Sequence, residues 1–391
     1  MTKKLTLIRR AAIVLGGLLL LLAAPAGAVE TSAKQAIVVD FETGTVLFEK
    51  NADEPVHPAS MSKLMTLYVL FDRLKQGNVS LDDEFPVSEK AWALNEGSTM
   101  FVGIGENLRV EDLIRGIIVQ SGNDACLVVA EGIAGTEEAF AELMNETGAR
   151  IGLANSHFVN SHGLENPAHL MTVRDLSVLA EHLIADFPEY YHYFAEREFV
   201  HNDIKQGNRN PLLYRDMGVD GLKTGHLTVS GYGLAASAER DDRRVIVVTH
   251  GMNSMQERAD QGAALIEWAF REFDNYTLAK AGQTLEEAPV WYGAEETVPL
   301  VVEQDLVATL PRAARKRLEV KAVFEGPVPA PVLKGQQIGK LVISAGEITP
   351  LEVPVYAGAD VERLGMFGRV VAALKHLILG PETVEPAAGG A

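Results

Sequence analysis

The chain has 391 residues, 47% of them hydrophobic and 23% charged, so it is long enough for two packed domains and does not have the composition of a disordered chain. Its formal net charge of −18 at pH 7 argues against a nucleic-acid partner, because phosphate binding needs clustered Lys and Arg. The single cysteine, Cys126, excludes an internal disulfide.

The first 28 residues have the order of a secretory signal peptide. A basic start is followed by an apolar run over 11–24 and by the small-residue sequence AGA at 26–28. We predict cleavage after Ala28; the alternative is a permanent membrane anchor, which needs about 20 apolar residues. Cleavage removes four positive charges and no negative charge, so the mature net charge is −18 − 4 = −22.

The next 248 residues, 29–276, predict an α+β domain with strands at both ends of a helical middle. Period-2 and β-rich runs predict strands over 35–39, 45–48, 219–224, 230–238 and 245–250. Apolar residues at helical spacing predict helices over 60–76, 123–134, 137–150 and 256–273. We expect the early and late strands to share one sheet.

The sequence pattern changes after residue 276. Short β-rich runs separated by Pro and Gly predict a small all-β domain over 277–358. An amphipathic helix is predicted over 361–380, followed by a flexible tail at 381–391. The helix has an apolar face and flanking basic residues, which suits a membrane interface; packing back onto its own domain is the alternative.

Ser60 and Lys63 are the first candidates for chemistry. They lie one turn apart at the start of a predicted helix, so the hydroxyl and the amine share a face. A serine hydroxyl is a good nucleophile only when a base removes its proton, and a lysine can be that base when burial or positive charge lowers its pKa. The spacing alone is common, and an ordinary surface pair is the alternative interpretation.

Two further motifs lie where such a site needs them. The sequence SGN at 121–123 falls in a loop before a helix, which suits the presentation of side chains into a cleft. The sequence KTG at 223–225 ends a predicted strand, where Gly225 would let a substrate backbone lie close to the edge.

Together the three motifs resemble those of class A β-lactamases and penicillin-binding proteins. The longer sequences PASMSKLMT at 58–66, QSGNDAC at 120–126 and VDGLKTGH at 219–226 are similar to low-molecular-mass penicillin-binding proteins of the serine D-alanyl-D-alanine carboxypeptidase type. The resemblance covers most of the chain, and it implies a β-lactamase/DD-peptidase-like transpeptidase domain, with an antiparallel sheet and a helical region.

The resemblance also implies roles. Ser60 would attack the carbonyl between the last two D-alanines of a peptidoglycan stem peptide, and water would then release the shortened peptide. Lys63 would be the base, Asn123 would hold Lys63 and the substrate amide, and Ser121 with Lys223 would return a proton to the departing D-alanine. No cofactor or metal is implied, and β-lactams are expected as covalent inhibitors.

The family resemblance places the substrate along the strand that ends in KTG. Thr224 and Gly225 would line this edge, and the backbone amides of Ser60 and His226 would hold the oxyanion. Leu227 follows the histidine where the family has Thr, and Gly233 follows a tyrosine where it has Asn, so the fit at this edge is expected to differ.

A carboxypeptidase must also bind a free carboxylate, for which arginine is the natural partner. The family places an arginine ten residues before a helical tryptophan, and Arg258 and Trp268 have this spacing. The alternative is an ordinary surface arginine. His162, in a loop that resembles the floor of the family's site, is expected to hold that loop rather than to position water.

Three other functions remain open from the sequence. A β-lactamase shares the motifs, but its Glu-x-x-Leu-Asn signature is absent from the loop, which reads GLENP at 163–167. A non-catalytic murein-binding protein and a DD-endopeptidase that cuts cross-links are the others. We expect the carboxypeptidase to be periplasmic and anchored to the inner membrane by its C-terminal helix.

Overall fold

The computed structural model describes residues 29–345 and 350–379. The predicted signal peptide at 1–28 and the predicted tail at 381–391 lie outside these ranges.

The first domain is mixed α and β, as predicted. Its helices are α1 (Lys63–Lys75), α2 (Glu89–Ala93), α3 (Val110–Arg115), α4 (Asn123–Ala134), α5 (Glu137–Arg150), α6 (Val173–Asp186), α7 (Pro188–Tyr191) and α8 (Met255–Glu272). Its strands are β1 (Gln35–Asp40), β2 (Val46–Lys50), β3 (Glu84–Pro86), β4 (Asn107–Arg109), β5 (Glu198–His201), β6 (Ile204–Gly207), β7 (Val219–Leu227), β8 (Gly231–Arg240) and β9 (Arg243–Met252).

The main sheet joins early and late strands in the order β2-β1-β9-β8-β7, with every neighbouring pair antiparallel. Successive side chains of a strand point to opposite faces. Ile37 and Val39 therefore pack into the core shared with α1, α4 and α6, whereas Ala36 and Val38 pack into the core beneath α8. Both faces are covered, and β7 is left at one edge.

Local sequence explains why α4 and α5 begin and end at the residues predicted for them. Gly135 ends α4 in the left-handed conformation, with φ +79°, and the Thr136 hydroxyl then accepts a hydrogen bond from the Ala139 amide. A left-handed glycine and a threonine cap are the usual end and start of a helix. These two residues make the boundary readable from the sequence.

The second domain is all β, as predicted. Its strands are β10 (Phe273–Ala279), β11 (Glu286–Trp291), β12 (Thr297–Val301), β13 (Leu306–Pro311), β14 (Leu318–Phe324), β15 (Val328–Pro329), β16 (Gln337–Ala345) and β17 (Leu351–Ala357). Six form a sheet in the order β14-β16-β17-β12-β11-β15, and β10 pairs with β13. The boundary predicted between 276 and 277 thus falls inside β10, which follows α8 directly.

The last helix, α9, spans Met366–Leu379 and does not begin at 361 as predicted. Val361 instead exchanges two backbone hydrogen bonds with Val332 and is buried in the second domain. The Glu362 carbonyl and the Leu364 amide also make backbone hydrogen bonds, to Ala294 and Tyr292, so the chain stays paired until shortly before the helix starts. Within the described ranges, no helix is both long and apolar enough to cross a membrane.

Candidate active site

Ser60 lies in a single 3-10 turn, Ala59–Ser62, that precedes α1. The sequence predicted that the α-helix begins at Ser60; it begins at Lys63 instead. Ala59 has φ +51°, a left-handed conformation that costs a residue with a Cβ some strain. A Cβ on Gly163 would stand 2.1 Å from the Ala59 carbonyl oxygen, so the loop after α5 packs directly against this turn.

Lys63 reaches back to Ser60 from the first turn of α1. Its Nζ lies 2.9 Å from the Ser60 Oγ and donates a hydrogen bond to the Asn123 Oδ1 at 2.7 Å. It donates another hydrogen bond to the His162 carbonyl oxygen. Lys63 is 0% exposed, whereas Ser60 is partly open to solvent. The Ser60 hydroxyl is therefore accessible to solvent and in contact with the buried Lys63 amine.

Burial changes the acid–base chemistry of this amine. Loss of solvation, together with the positive charge of Arg209, lowers the pKa of Lys63 to about 8. A lysine in water has a pKa of about 10.4. A useful fraction of Lys63 is therefore neutral near pH 7, and a neutral amine can accept the proton of Ser60.

Ser121 and Lys223 form a second hydroxyl–amine pair. A π-helical turn over Gly116–Gln120 ends at Ser121, whose φ of +60° turns the chain toward α4. The Lys223 Nζ donates to the Ser121 Oγ at 3.0 Å, and both residues are buried. Burial and the charge of Lys63 lower the pKa of Lys223 well below the ordinary lysine value.

Asn123 begins α4 and connects Lys63 to the loop between α2 and β4. Its Nδ2 donates to the Glu96 carbonyl at 2.7 Å, and its backbone amide donates to the Ser98 carbonyl at 2.7 Å. These contacts leave Oδ1 for Lys63. The amide orientation is thus fixed from both sides.

The edge strand β7 carries Thr224, Gly225 and His226. Thr224 is buried, and the exposed His226 ring stacks on Tyr232 with centroids 4.0 Å apart. A Cβ on Gly225 would stand 2.6 Å from the Pro58 carbonyl oxygen. Glycine at this position therefore lets β7 lie close to the segment that leads into the Ser60 turn, and the predicted place of the substrate along this edge stays a prediction.

Arg258 projects from the first half of α8 and is 6% exposed. Its guanidinium lies 5.7 Å from the centroid of Tyr232, the ring that stacks on His226. Among the described residues its Nε has no hydrogen-bond partner, and its guanidinium makes one hydrogen bond, from a terminal nitrogen to the Arg209 carbonyl at 3.5 Å. Burial lowers the pKa of Arg258 to about 10, which leaves it charged at neutral pH.

Sequence reasoning missed several groups that complete the cluster. Arg209 lies between β6 and the turn Pro211–Tyr214, donates to the Ser98 hydroxyl, and lowers the pKa of both Lys63 and Lys223. His162 contributes its backbone carbonyl, while its ring contacts Glu137 at 3.2 Å and so holds the loop, as predicted. No spacing marks Arg209 in the sequence, because it lies in the short connection 208–210 and only the folded chain brings it beside Ser98.

Across residues 29–345 and 350–379, no group of three or more His, Cys, Asp or Glu side chains is placed to hold a metal ion. Lys63, Arg209 and Arg258 lie close enough to Lys223 to lower its pKa, and this concentration of positive charge favours an anionic ligand.

The chain matches models of known protein families over most of its length. A family model described as "D-alanyl-D-alanine carboxypeptidase" matches residues 22–254, and one described as "Penicillin-binding protein 5, C-terminal domain" matches residues 273–363.

Individual relatives agree with both matches. The chain is 38% identical to "D-alanyl-D-alanine carboxypeptidase DacC" of Escherichia coli K12 over 86% of each chain. It is 36% identical to "D-alanyl-D-alanine carboxypeptidase DacA" of Haemophilus influenzae, over 87% of this chain and 88% of the relative. The solved structure of penicillin-binding protein 5 from H. influenzae superposes with a TM-score of 0.79 at 34% identity, covering 87% of this chain and 100% of that one.

The predicted fold class is confirmed by these matches, and the second domain has a family model of its own. Sequence, architecture and relatives agree that the chain belongs to the serine-type D-alanyl-D-alanine carboxypeptidase family.

Proposed function

We propose that this protein removes the terminal D-alanine from peptidoglycan stem pentapeptides through an acyl-enzyme at Ser60. The observation that carries the proposal is the contact of one reachable hydroxyl, Ser60, with a buried amine, Lys63, whose pKa is lowered to about 8. The names of the relatives supply the substrate class, a peptide ending in D-Ala-D-Ala.

In the proposed acylation, Lys63 takes the Ser60 proton as the serine oxygen bonds to the carbonyl carbon between the two D-alanines. The backbone amides of Ser60 and His226 are proposed to hold the resulting oxyanion. The C–N bond then breaks, and the departing D-alanine nitrogen receives a proton through the Ser121 and Lys223 pair. The covalent product is an ester of Ser60. One water molecule hydrolyses it, giving its hydroxyl to the shortened peptide and its hydrogen to Ser60, and proton exchange with solvent returns Lys63 to the neutral form and restores the proton of the Ser121 and Lys223 pair.

The test is release of D-alanine from a pentapeptide ending in D-Ala-D-Ala by the mature protein. We expect steady release that stops when the enzyme is first incubated with penicillin, and a mass increase of one penicillin per chain. No release from the untreated protein would favour a murein-binding scaffold. Faster cleavage of a cross-linked dimer than of the pentapeptide would indicate an endopeptidase.

Persistence of the adduct separates this proposal from a β-lactamase. A lactamase needs a dedicated base to deacylate, and Glu165, the one acidic residue in the sequence GLENP, is exposed at the surface. The penicillin ester should therefore be long-lived. A return to the free mass within seconds would contradict the proposed function.

We propose that the protein works in the periplasm, with residues 1–28 as the export signal and α9 as the membrane anchor. Five apolar side chains of α9 are more than half exposed instead of packing on the second domain: Met366, Phe367, Val370, Val371 and Leu374. Exposed apolar side chains on a terminal helix suit insertion into a lipid interface.

Vesicle binding tests the anchor. The mature protein should co-sediment with phosphatidylglycerol vesicles, and Phe367→Asp should release much of it, because Phe367 is 89% exposed and its replacement leaves the fold intact. Val320→Asp, at an exposed position on β14, is the matched control and should bind as the wild type does. Equal binding by Phe367→Asp would argue against the anchor.

A further inference from the structure

Asp124, the residue after Asn123, accepts hydrogen bonds from backbone amides of its own helix and of a neighbouring loop. Its carboxylate is buried and accepts hydrogen bonds from the amides of Met100 at 2.8 Å, Phe101 at 2.9 Å and Val102 at 3.3 Å. It also accepts from the Ala125 amide at 2.9 Å. One carboxylate thus holds three consecutive amides of the loop between α2 and β4.

The same segment holds Asn123. The carbonyl of Glu96 accepts from the Asn123 side chain and the carbonyl of Ser98 accepts from its backbone amide, each at 2.7 Å. Asn123 in turn presents Oδ1 to the Lys63 amine. The chain of contacts therefore runs from Asp124 through residues 96–102 to Asn123 and then to the proposed base.

The fit between these parts is tight. A Cβ on Gly122 would stand 2.7 Å from the Asp124 Oδ1, and one on Gly97 would stand 3.0 Å from the Asn123 Nδ2. Phe101 has φ +66° and is half exposed, a conformation that a bulky residue rarely adopts. The hydrogen bond from its amide to Asp124 holds it there, because three amides converging on one carboxylate leave the backbone little freedom.

We infer that Asp124 is a positioning residue for the acylation step. It fixes residues 96–102 so that the Glu96 and Ser98 carbonyls orient the Asn123 amide toward Lys63. It does not touch the substrate, and its effect on catalysis passes through Asn123. This inference rests on the proposed function and adds to it the residue that sets the geometry of the base.

The first test is Asp124→Asn, which keeps the shape but turns an amide NH2 toward backbone N–H groups. Release of the segment should lower the turnover number about 10²-fold or somewhat less, with little change in KM, because misplacement rather than lost binding is the cause. Asp175→Asn is the matched control. Asp175 is a buried carboxylate that holds the Asn155 amide at 2.8 Å, outside the cluster, and its replacement should leave the turnover number unchanged.

A double-mutant cycle tests whether Asp124 acts through Asn123. In an Asn123→Ala background, Asp124→Asn should cost no further activity, because the residue through which it acts is gone. Gly97→Ala changes an exposed loop residue and serves as a second variant if Asp124→Asn does not fold. Gly97 has φ +74°, so alanine strains the backbone of this segment and also brings a methyl group to about 3.0 Å from the Asn123 Nδ2. Both effects displace the Asn123 amide, so this variant too should lower the turnover number and have no effect on it in the Asn123→Ala background.

Equal losses in the wild-type and Asn123→Ala backgrounds would overturn the inference, as would a loss confined to KM or an equal loss in Asp175→Asn. In each of these cases the wild type still releases D-alanine, so the proposed function stands. A wild type that neither releases D-alanine nor takes up penicillin would overturn both.

Discussion

Replacing Lys63 with Arg should lower the rate of acylation by penicillin roughly 10²- to 10⁴-fold, the range expected for loss of a general base. The guanidinium keeps the positive charge but does not give up its proton below pH 12 or so. With a pKa of about 8, roughly one Lys63 side chain in ten is neutral at pH 7, whereas at the ordinary lysine value the figure would be roughly one in 2,500.

The pH dependence of acylation gives the same test a sharper form. Because the neutral amine is the reactive form, the wild-type rate should rise about tenfold per pH unit up to about pH 8 and then level off. In Lys63→Arg this rise should disappear. Single-turnover labelling with a fluorescent penicillin between pH 5.5 and 9.5 would measure it, with Ser60→Ala setting the background.

Lys223 is the competing assignment, since burial and the charge of Lys63 also lower its pKa. Lys223→Arg should keep the rise near pH 8 if Lys63 is the base. A rise that vanishes in Lys223→Arg and survives in Lys63→Arg would assign the base to the other amine. Acylation of Lys63→Arg within tenfold of the wild type would contradict the role of Lys63 altogether.

The parts of the fold that were readable from the sequence are those that local chemistry determines. Gly135 and Thr136 fix the end of one helix and the start of the next whatever surrounds them. The start of α9 at Met366 was not readable, because it depends on the pairing of Val361 with Val332, 29 residues earlier. Helical periodicity alone extended that helix too far.

The residues of the candidate site also fall into a group that could be predicted from the sequence and a group that could not. Ser60, Lys63 and Ser121 belong to short motifs, and these motifs could be found without a structure. Arg209 and the Glu96 carbonyl could not, since one is a lone arginine in a loop and the other is a backbone group that any residue offers. Their contribution arises only when the fold brings distant segments together.

Arg258→Ala should remove the enzyme's preference for a free terminal carboxylate. Arg258 is buried, charged and without a counter-ion among the described residues, and loss of one member of a buried charge pair costs roughly 2–5 kcal/mol. We therefore expect kcat/KM for a peptide ending in D-Ala-D-Ala to fall roughly 30-fold to several thousandfold. Arg258→Lys should recover only part of this loss, because an ammonium lacks the paired donors of arginine.

The same peptide with a C-terminal amide isolates the charge interaction. The wild type should prefer the acid over the amide by about the factor lost in Arg258→Ala, and the variant should cleave the two at similar rates. Arg271→Ala changes an exposed arginine on the same helix and should keep the wild-type preference. If the preference survives in Arg258→Ala and disappears in Arg209→Ala, the carboxylate is bound by the loop arginine and the assignment to α8 is wrong.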